Sequence, residues 1–152
     1  MTTRTFHDPF LHGRPDEAAR QAAALILAGP HLSVLTTVNA DGSPQASVIF
    51  VKPDGDDLLF STIKGRRKTA NMQRDSRASL LVHSLPGADG EFSYVVLTGP
   101  VELTDDPSGA FHQVMYDLHR GGAAAPAEPG AERLIVRLRP QRVYALPSFT
   151  AA

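Results

Sequence analysis

The spacing of apolar residues changes period several times along the chain, and each change marks an element. In "PDEAARQAAALILAGP" (Pro15–Pro30), Ala22, Leu25, Ile26 and Gly29 fall on one narrow helical face. Asp16 and Glu17 stand in its first turn, where the helix dipole favours carboxylates, and Gly29-Pro30 stops it. From His31 the pattern becomes extended. "HLSVLTTV" (His31–Val38) and "PQASVIFVK" (Pro44–Lys52), joined by the turn "NADG", predict a β-hairpin. "PDGDD" (Pro53–Asp57) turns the chain into another strand, "LLFST" (Leu58–Thr62), followed by a short basic helix. "RASLLVHS" (Arg77–Ser84), "FSYVVLTGPVEL" (Phe92–Leu103, bent at Gly99-Pro100), "RLIVRLRP" (Arg133–Pro140) and "RVYALP" (Arg142–Pro147) supply the remaining strands.

A second amphipathic helix is expected over Asp106–Arg120. There Phe111, Val114, Met115 and Leu118 recur at helical spacing, a stripe expected to face the core. "PGADGE" (Pro86–Glu91) reads as a loop, and Gly121–Glu132, rich in Gly, Ala and Pro, as a mobile one. Six or seven mostly antiparallel strands with tight turns and short helices predict a mostly β fold, a small closed barrel. No internal repeat or linker interrupts the pattern, so residues 1–152 read as one domain, with residues 1–30 an N-terminal extension and helix.

Composition narrows the function. A length of 152 residues supports one buried core. The net charge of -1 argues against a nucleic-acid binder, which is usually basic. No apolar run of about 18 residues is present, so no membrane span is expected. The N-terminal segment has no apolar stretch of the kind a signal peptide needs. The absence of cysteine excludes disulfides, thiolate metal sites and cysteine nucleophiles. These features together suit a cytoplasmic protein. The six histidines are scattered with no helical i, i+4 pair, so no metal site is expected. Neither a G-x-S-x-G elbow nor a P-loop appears. Any chemistry is therefore expected from a bound cofactor.

One stretch stands out. "FSTIKGRRKTANMQRD" (Phe60–Asp75) starts a helix with Arg66, Arg67 and Lys68. A helix N-terminus carries partial positive charge, so each cation there costs about 0.3–1 kcal/mol at an exposed site. Two readings follow from the spacing. In one, free backbone N–H groups join Ser61, Thr62, Lys64, Arg66, Arg67 and Lys68 in a phosphate site. In the other, the run is a solvated basic face. A nucleic-acid patch fits less well, because no aromatic residue interleaves with the cations.

The runs "LSVLTTVNADGSPQASVIFV", "LLFSTIKGRRKTANMQRDSRASLLV" and "YVVLTGPVELTDD" resemble the split β-barrel, FMN-binding superfamily named after pyridoxamine 5'-phosphate oxidase. Within it they are most similar to the actinobacterial branch that uses the deazaflavin coenzyme F420. The similarity spans Leu32 to Asp106, with the final strands matching loosely. It implies a six-stranded antiparallel split barrel that forms a homodimer with cofactor sites at the interface. It also implies that Lys68 binds the cofactor phosphate, with Ser61, Thr62 and Arg66 around it. The strand through Ser47, Val48 and Ile49 would lie against the ring, and Asn71 would serve structure. Lys64, Arg66 and Arg67 exceed what one phosphate needs, which suits the polyglutamate tail of F420. The implied activity is hydride transfer from reduced F420 to an unsaturated small molecule. No side chain stands out as the catalytic acid. True pyridoxamine phosphate oxidases carry a C-terminal substrate segment with Trp, Arg and His. This chain ends "VRLRPQRVYALPSFTAA", which speaks against vitamin B6 oxidation. Two rival readings keep the fold: an FMN-dependent flavin reductase or oxidase, and a non-catalytic cofactor or haem-type binding protein.

Overall fold

A computed structural model describes residues 24–29, 31–84 and 93–146. Most of the expected N-terminal helix, the loop Pro86–Glu91, and the end positions Phe92 and Pro147 lie outside the described residues. Residues 24–27 are helical.

Strand β6 (Tyr94–Asp105) is the axis around which the others assemble. Its first half pairs with β5 (Arg77–His83) on one edge and β8 (Arg142–Leu146) on the other. Its second half pairs with β7 (Arg133–Leu138). Beyond β5 lie β1 (Leu32–Val38) and β2 (Pro44–Phe50), and beyond β7 lie β4 (Asp57–Ile63) and β3 (Lys52–Asp54). All pairings are antiparallel. Two further helices complete the description: α1 (Arg67–Arg74) and α2 (Ala110–His119).

Eight strands stand among the described residues where the resemblance implied six. The run read as one strand from Pro44 to Lys52 divides at Val51, which belongs to no ladder. Past it, β3 forms a hairpin with β4 around Gly55, whose φ of +59° suits glycine. The closed barrel is likewise corrected to an open, curled half-barrel. The sheet order begins at β2 and ends at β3, so its two outer strands join through the chain at Val51.

Alternation sets the core, as period-2 patterning requires. Leu35, Phe60, Leu80, Val82, Val136, Leu138 and Val143 are fully buried on the concave face. Burial contributes about 1.5–3 kcal/mol for each large aliphatic or aromatic side chain. The bend at Gly99-Pro100 has a partner across the sheet. Between β7 and β8 the register against β6 slips by one residue, a bulge at Arg139-Pro140-Gln141. Arg139 N–H donates to the Pro100 carbonyl and Gln141 N–H to that of Thr98. A Cβ at position 99 would sit 2.0 Å from the Arg139 carbonyl oxygen, so only glycine fits there.

The stripe expected to bury α2 does not do so. Met115 is buried, but Val114 is 37% and Leu118 50% exposed. The face turned inward is His112, Met115, Tyr116 and His119, which lies against a groove rather than the core.

Candidate functional site: a groove between a sheet edge and two helices

The groove begins with how α1 is held. Gly65, at φ +88°, turns the chain out of β4, and Arg66 becomes the extended N-cap without a capping side chain. No acidic residue occupies the first turn. Beneath the helix, Thr69 Oγ1 donates to the Ile63 carbonyl at 2.8 Å. Its only proton is then used, so the 2.8 Å bond between the Thr62 and Thr69 hydroxyls has Thr62 as donor. Thr62 is therefore a buried fastener of α1. Asn71 does the same from the next turn, donating to Thr37 Oγ1 at 3.1 Å and Asn39 Oδ1 at 2.9 Å. Arg74 in turn donates to Asn71 Oδ1. The helix start is thus fixed relative to the β1–β2 hairpin.

Beside that start lies a groove of about 330 Å³. One wall is the outer strand β2, at Val48, Ile49 and Phe50. The opposite side carries Ser61, Arg66 and Lys68. The third wall is α2, with His112, Met115, Tyr116, His119 and Arg120, and Glu128 and Arg133 close one end. Five residues singled out in the sequence therefore meet here: Val48, Ile49, Ser61, Arg66 and Lys68. Four do not line it. Ser47 accepts from the Gln45 amide at 3.0 Å, and Thr62 lies under α1. Lys64 pairs with Glu132 at 3.3 Å, and Arg67 is exposed outside the groove. The sequence reading missed the α2 wall, Phe50, Glu128 and Arg133. A visible signal did exist: His112, Tyr116 and His119 recur at helical spacing on one face.

Charge is concentrated at the α1 end. Lys68 is half-buried and makes no hydrogen bond or ion pair among the described residues. Desolvation, with a smaller contribution from Arg66, lowers its pKa. Arg133 donates to Ser61 Oγ at 3.1 Å and pairs with Glu128. The loop Gly121–Glu132 is hydrogen-bonded to α2 at two points. The Gln113 side chain donates to the Ala123 carbonyl and accepts from Ala125 N–H.

The other end is built on aromatic rings, with Arg120 over one of them. The His119 ring stacks on Phe50, centroids 4.6 Å apart, and Arg120 lies over the same ring at 5.7 Å. A carbonyl only accepts, so the 3.1 Å contact between His119 Nε2 and Val51 O fixes Nε2 as protonated. Burial lowers the His119 pKa, opposed by that bond. Burial also lowers the His112 pKa, helped by Arg133 and Arg66 and opposed by Glu128 and Asp106. Among the described residues, no cluster of three His, Asp or Glu side chains is placed to hold a metal. No described helix is long and apolar enough to cross a membrane. The groove thus offers an anchor for an anion at one end and aromatic and aliphatic surface at the other.

Residues 19–146 match the family described as pyridoxamine 5'-phosphate oxidase. The chain belongs to this family. Solved structures of the same fold agree. An F420 reductase superposes with a TM-score of 0.71 at 28% identity, covering 80% of this chain and 94% of that one. A pyridoxamine 5'-phosphate oxidase homologue from Listeria innocua gives 0.64 at 20% identity, over 86% and 98% of the two chains. A FAD-binding protein from Mesorhizobium loti gives 0.65 at 19%, over 84% and 92%. As a member of the pyridoxamine 5'-phosphate oxidase family, the protein shares its fold with proteins that include an F420 reductase and a FAD-binding protein.

Proposed function

We propose that the protein is an F420-dependent reductase acting on an unsaturated organic small molecule. The observation that carries this reading is Lys68, a half-buried cation with no partner among the described residues, set beside Arg66 at an uncapped helix start. A cation drawn partly out of water beside a second cation is unfavourable unless an anion joins them. A cofactor phosphate fits that requirement, with Lys68 and Arg66 pairing to it and Ser61 and Arg133 alongside. The ring would lie toward Val48, Ile49 and Phe50, against apolar side chains. When bound, the reduced deazaflavin supplies a hydride, and the protein holds and shields it. The 28% identity to an F420 reductase supports the choice of cofactor.

FMN is the second reading, and one observation favours it. Lys64 is committed to Glu132, which removes one of the three cations that would serve a polyglutamate tail. We further propose a homodimer. Val48, 64% exposed on an outer strand that walls the groove, is the kind of position a second copy would cover.

Titrating the protein with F420 and with FMN tests the cofactor reading. Tighter binding of F420, with consumption of its reduced form when an enone or quinone is added, is the expected result. Binding of either cofactor without turnover would instead make it a carrier. Sedimentation of a monomer that binds cofactor stoichiometrically would overturn the dimer.

A further inference from the structure

His112 stands between two cavities, and its ring takes no part in hydrogen bonding among the described residues. Its ring lines the groove described above and also a second cavity of about 390 Å³, bounded by Asp106, Ser108, Gln113, Glu128 and Arg133. Neither ring nitrogen has a hydrogen-bond partner among the described residues, and both are shielded from solvent. A buried donor or acceptor left unpaired costs about 1–3 kcal/mol, so such a group is expected to have a partner in some state of the protein. What fixes this residue is its backbone: the N–H donates to Asp106 Oδ2 at 3.2 Å, while the ring meets Tyr116 edge to face at 4.9 Å. The ring itself is free of polar ties. A half-turn about its outer torsion exchanges nitrogens with carbons in the same volume, at no cost in packing.

We propose that His112 is a further contact of the groove's anion site, donating a ring N–H to the phosphate-bearing ligand and taking up a proton as it binds. This rests on the cofactor reading above and deepens it. The charged groups around the ring suit the role. Asp106, below the α2 N-terminus, and Glu128, on the loop, favour the imidazolium; Arg133, on β7, and Arg66, at the α1 start, oppose it. Lys68 shares the groove, and Tyr116 is neutral. In the free protein, desolvation and the two arginines keep the ring neutral near pH 7. An anion arriving between those arginines and the ring offsets their field and raises the imidazole pKa. Proton uptake is then linked to binding. Affinity rises as pH falls, by up to about tenfold for each unit by which the ligand raises the pKa.

Dissociation constants for FMN and F420 are measured between about pH 5.5 and 8, the range histidine ordinarily spans, for wild type and His112→Gln. Glutamine keeps a donor but does not titrate, and comparing the two proteins cancels the ligand's own ionisation. The wild type is expected to gain about 3- to 10-fold over the variant toward the acid end. Parallel pH profiles for the two proteins would overturn the proposal while leaving the cofactor reading intact. If neither cofactor binds at any pH, the reading and the proposal fall together. Should His112→Gln fold poorly, proton NMR titration of the wild-type imidazoles answers the same question, with His112→Asn identifying the signal. A His112 pKa that rises on adding ligand supports the proposal, and an unchanged one overturns it.

Discussion

Lys68 and Lys64 lie four residues apart in sequence, yet their surroundings differ completely. Lys68 is drawn partly out of water beside another cation, while Lys64 has Glu132 and solvent. Removing Lys68 should therefore cost the interaction of a charged hydrogen bond, about 1.5–3 kcal/mol. Lys68→Ala is expected to weaken FMN and F420 alike, because both carry the phosphate. Lys64→Ala should leave both dissociation constants within about twofold, as exposed substitutions away from a site usually do. Fluorescence titration of the two variants checks this, and equal affinities for Lys68→Ala and wild type would remove the anion site. Histidine acts at this scale too. His112 and His119 both have pKa values lowered by burial. Their neutral forms are favoured in the folded state, so the unfolded chain binds more protons below its ordinary value near 6.5. Stability should be complete above that value and fall as pH drops through it toward the folded values. Thermal unfolding of ligand-free protein between about pH 7.5 and 5.5 should show the decline, and His119→Gln should flatten part of it. Identical slopes would mean that His119 burial does not matter.

Among the elements, the bend in β6 is the least forgiving position. Gly99→Ala places a methyl group 2.0 Å from a backbone oxygen in the bulge, and neither chain can yield without breaking ladder bonds. A loss of at least about 1–3 kcal/mol is expected, the usual range for overpacking. Urea unfolding measures it; an unchanged midpoint would mean that the bulge moves freely. The bend itself was legible from Gly99-Pro100, and so were most strands, because alternation reports burial on one face. The break at Val51 was not legible: "VIFVK" is apolar straight through it, with no turn residue to mark where the ladder stops. In α2 the apolar stripe pointed to the wrong face. Phe111, Val114 and Leu118 satisfy helical spacing, yet the inward face carries two histidines and a tyrosine, because it lines a groove. The basic start of α1 was the readable part of the site. Arg133 was not, since its bond to Ser61 depends on strand pairing that brings together residues 72 apart.

For the molecule as a whole, the balance of charge around the groove bears on which cofactor it prefers. If Arg66 and the exposed Arg67 follow a long anionic tail, F420 should bind more tightly than FMN. That advantage should shrink with added salt, because exposed charges are screened over a Debye length of about 8 Å at physiological ionic strength. Paired dissociation constants at low and high salt measure it, and an FMN preference indifferent to salt would favour the flavin reading. The sheet's connectivity has a consequence in time as well as in space. Ser61 on β4 meets its ladder partner Ile135 only after β5, β6 and α2 have been threaded, whereas β1 and β2 are neighbours across a short turn. Pairings so distant in sequence form slowly, with β-rich domains taking milliseconds to seconds. The hairpin can close early, but the anion end of the groove is finished late. In a stopped-flow refolding experiment, quenching of FMN fluorescence should lag behind the far-ultraviolet signal of the strands. Until that lag ends, the nascent protein would be folded in outline and unable to hold its ligand.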